Sequence, residues 1–223
     1  KTNYIKSAIA IAIIVALVLG FFVGLRLFLN TDVPIRVVES GSMSIPLNFI
    51  NGPPYTLNNF VLTLEHPFDR TLDTGDIIII QGVNPADLNV NYPNSDIIVY
   101  KAPDDPAGTP IVHRIVERYE INGTYYFQTK GDGNGQKWPA VASPSDYDAH
   151  ALWTTGQGVS QDQVEGRVVM RIPYFGWVTL FFNNNSWGLP LVIALIIILI
   201  IIEFVVPMIR KKSMNSQEII NKV

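Results

Sequence analysis

Nineteen consecutive residues without a charge, Ser7 to Leu25, lie between Lys6 and Arg26 in this 223-residue chain. As a helix rising about 1.5 Å per residue, such a stretch covers roughly the 30 Å hydrocarbon thickness of a bilayer. A cleaved secretory signal has a shorter apolar core and small residues ahead of its cut site, which are missing before Arg26, so a retained membrane helix is expected. A second apolar stretch, Leu189 to Ile209, carries Glu203 near its end and is followed by Arg210-Lys211-Lys212. Lys1 and Lys6 precede the first span and the basic triplet follows the second. The positive-inside rule then places both termini in the cytoplasm and the middle outside, in a multi-pass protein of the cell membrane. The expected organisation is a cytoplasmic tip and membrane helix over 1–29, an external domain over 30–188, a second membrane helix over 189–209 and a basic tail over 210–223.

The charge distribution agrees with that division. Residues 30–188 hold 17 acidic and nine basic side chains, a net −8, whereas the rest of the chain is +5. An acidic middle argues against nucleic acid, whose phosphates need clustered Lys and Arg. Cysteine is absent, which excludes disulfides, thiolate metal sites and a cysteine nucleophile. Neither a His/Cys/Asp cluster nor a Gly-rich phosphate loop is present, so no metal, nucleotide or other cofactor is expected.

Between the spans the pattern is β. Ile35–Glu39, Thr74–Gln81, Ser95–Lys101, Ile111–Glu120, Thr124–Lys130 and Val164–Ile172 read as short β-branched strands. Asn122-Gly123 between two of them is a strong hairpin signal. No helical periodicity of useful length falls between residues 30 and 188. The expected fold class is therefore mainly β: antiparallel sheets forming a partly closed, barrel-like domain flanked by two transmembrane helices. Asn48–Asn59 and Gly131–Gln163 read as loops carrying insertions. The aromatics Phe175, Trp177, Phe181, Phe182 and Trp187 suit an interfacial belt. Asn122-Gly-Thr124 and Asn184-Asn-Ser186 match glycosylation acceptors, a pattern common by chance.

The strand at Ile35 ends in Glu39-Ser40-Gly41-Ser42-Met43. A serine on a sharp turn presents its hydroxyl beside free backbone N–H groups, which a nucleophile and an oxyanion site both require. A serine also needs a base, and the base needs an orienting group. Of the three histidines, His66 and His150 read as loop residues, while His113 sits inside a strand. If Asn122 and Gly123 form a two-residue turn, paired positions sum to 245 and His113 faces Asp132. Directly opposed residues have Cβ atoms about 4.5–5.5 Å apart, within hydrogen-bonding reach.

Ser-x-Ser-Met beside an apolar span, followed in order by Gly75-Asp76-Ile-Ile, His113-Arg114-Ile-Val, Lys130-Gly131-Asp132, Gly166-Arg-Val and Pro173-Tyr-Phe-Gly176, resembles the type I signal peptidases. The histidine in the third block resembles their archaeal and endoplasmic-reticulum branch. The resemblance implies a membrane-bound serine endopeptidase that removes signal peptides from secretory precursors, with Ser42 as nucleophile, His113 as base and Ser40 aiding the oxyanion site. Its partners would be precursor proteins, the bilayer and the translocation machinery. Two departures stand out. The run Ser42-Met43-Ser44-Ile45-Pro46 has one extra residue before the proline, and Trp138 occupies the place six beyond Asp132 where the branch carries a second aspartate. Across the insertion that aspartate aligns with Asp146, so Asp146 on family grounds and Asp132 on hairpin grounds compete for the acid, with Asp148 a third candidate. A Ser–Lys dyad using Lys101 or Lys130, and a non-catalytic tethered β-domain, are the alternatives.

Overall fold

The computed structural model describes residues 2–45, 72–138, 140, 143–153 and 156–202. His66, Pro46, Glu203, the basic triplet and the expected Asn48–Asn59 insertion lie outside them. The chain forms two compact units, Lys1–Trp177 and Val178–Val223.

In the first unit, helix α1 (Thr2–Leu29) contains Ile9–Leu29, which is long and apolar enough to cross a membrane. The helix stops where Asn30 turns to a φ of 49°, and Gly82 N–H donates to the Leu29 carbonyl at 2.8 Å. Seven strands follow: β1 (Ile35–Val37), β2 (Ile77–Gln81), β3 (Ile97–Tyr100), β4 (Ile111–Ile121), β5 (Thr124–Lys130), β6 (Val159–Ser160) and β7 (Val164–Ile172). They form one curled half-barrel sheet in the order β1-β2-β7-β3-β4-β5-β6, every pairing antiparallel. The last strand in sequence thus lies between β2 and β3.

Strand β3 explains the core. Its Ile97-Ile-Val-Tyr100 run is buried at every position, because each face of the sheet carries its own apolar layer. Ile97 and Val99 join Val38, Met43, Leu72, Ile78, Ile80 and Val168 on one face. Ile98 and Tyr100 join Leu88, Ile115, Phe127, Ala149, Trp153 and Val159 on the other. A strand covered on both faces loses the polar alternation of a half-exposed one. Burying each of these large side chains stabilises the fold by about 1.5–3 kcal/mol.

The β4–β5 hairpin turns at Asn122 and Gly123, both at positive φ. Pairing from Ile121↔Thr124 back to Glu117↔Gln128 keeps the expected sum of 245. A β-bulge at Val116 then shifts the register to Ile115↔Thr129 and Arg114↔Lys130. The expected opposition of His113 and Asp132 is lost at that bulge, since one extra residue exchanges the two faces of the strand.

Short helices occur where none was anticipated. Helix α2 (Asp148–Ala151) lies inside the segment read as an insertion, and the aromatic run forms α3 (Trp177–Asn184). In the second unit, α4 (Gly188–Ile200) follows the polar stretch Asn183-Asn-Asn-Ser186. There Asn185 Nδ2 donates to the Phe181 carbonyl at 2.8 Å and ends α3. The helices Trp177–Asn184 and Gly188–Leu199 are bent by 106° to each other and, among the described residues, reach membrane-spanning length only as a pair.

Candidate active site

The site begins with the serine turn. After β1, Val38 keeps pairing with the β2 side, its N–H donating to the Asp76 carbonyl and its carbonyl accepting from Gly75. Ser40 and Gly41 then lie exposed, and the turn closes through Ser44 N–H to the Gly41 carbonyl at 2.9 Å. Met43 is wholly buried among the aliphatics of one core layer, and its sulfur accepts from Asp132 N–H at 3.4 Å. That anchor leaves Ser42 half-exposed at the turn. The extra residue Ser44 is absorbed by a 2.5 Å hydrogen bond from its hydroxyl to Asp73.

Ser42 Oγ lies 2.8 Å from His113 Nε2 and 3.2 Å from Ser40 Oγ. The other imidazole nitrogen, His113 Nδ1, lies 2.7 Å from Asp148 Oδ2. Histidine and aspartate are both buried, at 3% and 1% side-chain exposure. Asp148 Oδ2 also accepts from Tyr100 OH at 2.8 Å and Thr129 Oγ1 at 2.7 Å. Burial, with the nearby Asp148 charge, pushes the Tyr100 phenol well above its ordinary value, so it stays protonated.

The remaining candidate acids are placed differently. Asp132 makes a bidentate pair with Arg114, Nε to Oδ1 and Nη2 to Oδ2 both 2.9 Å, and both residues are buried. Arg114 Nη1 also donates to the Ser95 carbonyl, and the guanidinium lies 5.1 Å from the Trp138 ring centre. Asp146 is half-exposed and accepts from the backbone N–H of Gln136 and Ser143 at the start of a short 3₁₀ turn. His150 is exposed at the end of α2. Lys101 is exposed, whereas Lys130 is buried and its Nζ donates to the Gly131 carbonyl at 3.0 Å. Burial lowers the Lys130 pKa against the pull of Asp132, Asp146 and Asp148.

Glycines let the Lys-Gly-Asp-Gly turn reach the serine. Gly133 N–H donates to the Ser42 carbonyl at 2.8 Å. A Cβ on Gly131 would lie 2.5 Å from that carbonyl oxygen and 2.9 Å from His113 Nε2. Sequence reasoning gave Asp148 less weight than Asp132 and Asp146 and passed over Tyr100, Thr129, Arg114 and the anchoring role of Met43. The two-residue side-chain period of a strand was a usable signal, since it sets Tyr100 on the face of Ile98 and Arg114 on the face opposite His113. Asp148 had none, because its position depends on the fold of the segment after Asp132.

What fold and site define together is a mainly β protein carrying a hydroxyl–imidazole–carboxylate relay. By sequence it is a homologue of the catalytic subunits of the signal peptidase complex, the endoplasmic-reticulum branch of the type I signal peptidases. It is 28% identical over 199 residues to the signal peptidase complex catalytic subunit SEC11 of Schizophyllum commune, covering 82% of this chain and 81% of the relative. Identity to the SEC11 of Verticillium alfalfae is 24% over 181 residues, 81% of each chain. With the SEC11C of Homo sapiens it is 28% over 186 residues, 82% of this chain and 75% of the relative. No protein-family model matches the chain.

Proposed function

We propose that this protein is a membrane-bound serine endopeptidase that cleaves signal peptides from secretory precursors. The observation that carries the reading is the continuous relay Ser42 Oγ–His113 Nε2 at 2.8 Å and His113 Nδ1–Asp148 Oδ2 at 2.7 Å. Its similarity to SEC11 catalytic subunits supports the choice of substrate.

In this mechanism Ser42 attacks the scissile carbonyl carbon while His113 Nε2 takes the hydroxyl proton. Asp148 holds Nδ1–H, selecting the tautomer whose Nε2 lone pair faces the serine, and it stabilises the imidazolium that forms. His113 returns the proton to the leaving amine, and a water repeats the sequence on the acyl-enzyme. The Ser42 N–H makes no hydrogen bond among the described residues and, with the Ser40 hydroxyl, receives the oxyanion. Among the described residues strand β1 is a sheet edge paired only to β2, so an extended precursor adds itself beside Ile35–Glu39. The sheet domain works outside with both termini in the cytoplasm, and the partners are precursors, lipid and other subunits of a processing complex at the translocation machinery.

The test is cleavage of a secretory precursor by the purified full chain in detergent. Ser42→Ala and His113→Ala each abolish cleavage while the protein stays folded, and the double variant is little worse than either. Undiminished cleavage by either single variant would overturn the mechanism.

A further inference from the structure

We propose that Tyr100 and Thr129 are positioning residues for this relay, their hydroxyls holding the Asp148 carboxylate in the orientation that serves His113. The inference rests on the reading above and extends it to residues that touch neither substrate nor serine.

The placement follows from strand register. Tyr100 on β3, His113 on β4 and Thr129 on β5 occupy adjacent strands, with Ile98 opposite His113 and Ile115 opposite Thr129. All therefore point to the face of the sheet on which Ile98, Tyr100 and Ile115 pack, and where α2 brings Asp148. The bulge at Val116 decides which β5 residue shares that face. Continued without it, the hairpin register would set Lys130 opposite Ile115 and turn Thr129 to the other side. With it, a neutral hydroxyl meets the carboxylate, and Lys130 sits opposite Arg114 with its Nζ on the Gly131 carbonyl.

The carboxylate depends heavily on these donors. Asp148 is 1% exposed, and its Oδ1 has no hydrogen-bond partner among the described residues. Oδ2 therefore carries every contact the carboxylate makes there: His113 Nδ1 at 2.7 Å, Thr129 Oγ1 at 2.7 Å and Tyr100 OH at 2.8 Å. Thr129 Oγ1 also lies 3.0 Å from Tyr100 OH, and since each hydroxyl has one proton, both are committed to the carboxylate rather than to each other. Tyr100 is fixed in turn by edge-to-face contact with Trp153, ring centres 6.3 Å apart. A buried carboxylate stays ionised when hydrogen bonds replace its lost water. The titratable groups facing it are His113 from β4, Tyr100 from β3 and, through its charge, Lys130 from β5. Without one hydroxyl the carboxylate is free to turn away from His113 Nδ1, and the imidazole loses the tautomer whose lone pair faces the serine.

The experiment measures kcat and KM for the full chain in detergent, with a secretory precursor as substrate. Tyr100→Phe and Thr129→Val should each lower kcat by about tenfold, the size expected for one hydrogen bond to a charged group, with KM little changed. In both, kcat should fall while KM holds, a split that a packing defect alone would not produce. Thr129→Ser, which keeps the hydroxyl, should restore the wild-type kcat. If either first variant fails to fold by circular dichroism, Thr129→Ser against Thr129→Ala carries the same comparison. Wild-type kcat in the hydroxyl-lacking variants, with Asp148→Asn inactive, overturns this inference alone. A fully active Asp148→Asn overturns the relay beneath it.

Discussion

Gly131→Ala tests whether the Lys-Gly-Asp turn positions the nucleophile. The new Cβ would lie 2.5 Å from the Ser42 carbonyl oxygen, 2.7 Å from Asn134 Nδ2 and 2.9 Å from His113 Nε2. The asparagine amide can swing aside, but the carbonyl is backbone and the imidazole is held by Asp148. Ordinary contact begins near 3.4 Å, so Gly131 and Ser42 must separate by about 0.9 Å. Ser42 is tied to the same turn by the 2.8 Å bond from Gly133, so the separation either breaks that bond or carries the serine off His113. A misplacement near 1 Å costs about a hundredfold in rate, which sets the expected fall in kcat. Overpacking should cost about 1–3 kcal/mol of stability, leaving the chain folded. Single-turnover cleavage of a bound precursor reads the chemical step directly, and far-UV circular dichroism confirms the sheet. A Gly131→Ala protein that cleaves within about threefold of the wild-type rate would refute the claim that this contact sets the geometry of attack.

The three acids separate by what each variant loses. Asp148→Asn should lower kcat by about 10⁴, the cost of presenting the wrong imidazole tautomer, as steady-state cleavage would show. Asp132→Asn leaves Arg114 buried without its carboxylate and should lower stability by about 3–5 kcal/mol in denaturant unfolding, whereas Asp146→Asn should be nearly silent in both assays. Ser40→Ala should lower kcat by up to about a hundredfold without raising KM, as for loss of one oxyanion donor. For Lys130 the sign follows from linkage: its folded pKa lies below the ordinary 10.5, so the unfolded chain binds more protons between the two values and stability rises with pH through that window. Lys130→Met should therefore keep cleavage activity, flatten that alkaline rise in unfolding measurements and leave stability at neutral pH unchanged or higher.

Much of this site was legible because its parts are local. A serine turn, a histidine in a strand and an Asn-Gly hairpin are each written in a few consecutive residues, and the strand boundaries of β5 and β7 coincide with the expected ones. The acid was not legible for two physical reasons. A bulge at Val116 reflects packing on both faces of β4, which hairpin chemistry at residues 122 and 123 does not encode, and it removed Asp132 from the histidine's face. Asp148 reaches His113 through a four-residue helix seated on the Tyr100–Trp153 layer, a tertiary contact with no periodic signature. Ser44 likewise looked like a disturbance of the motif until Asp73 supplied a partner for it.

The position of β7 bears on how such a chain is made. The strand that comes last in sequence zips β2 to β3, so the half-sheet holding the serine turn and the half-sheet holding His113 have no shared strand until residues 164–172 are available. A chain synthesised from its N-terminus has by then exposed Ser42, His113 and Asp148 in turn without the scaffold that aligns them. The two halves that carry Ser42 and His113 are therefore joined into one sheet only when the last of these strands has left the ribosome.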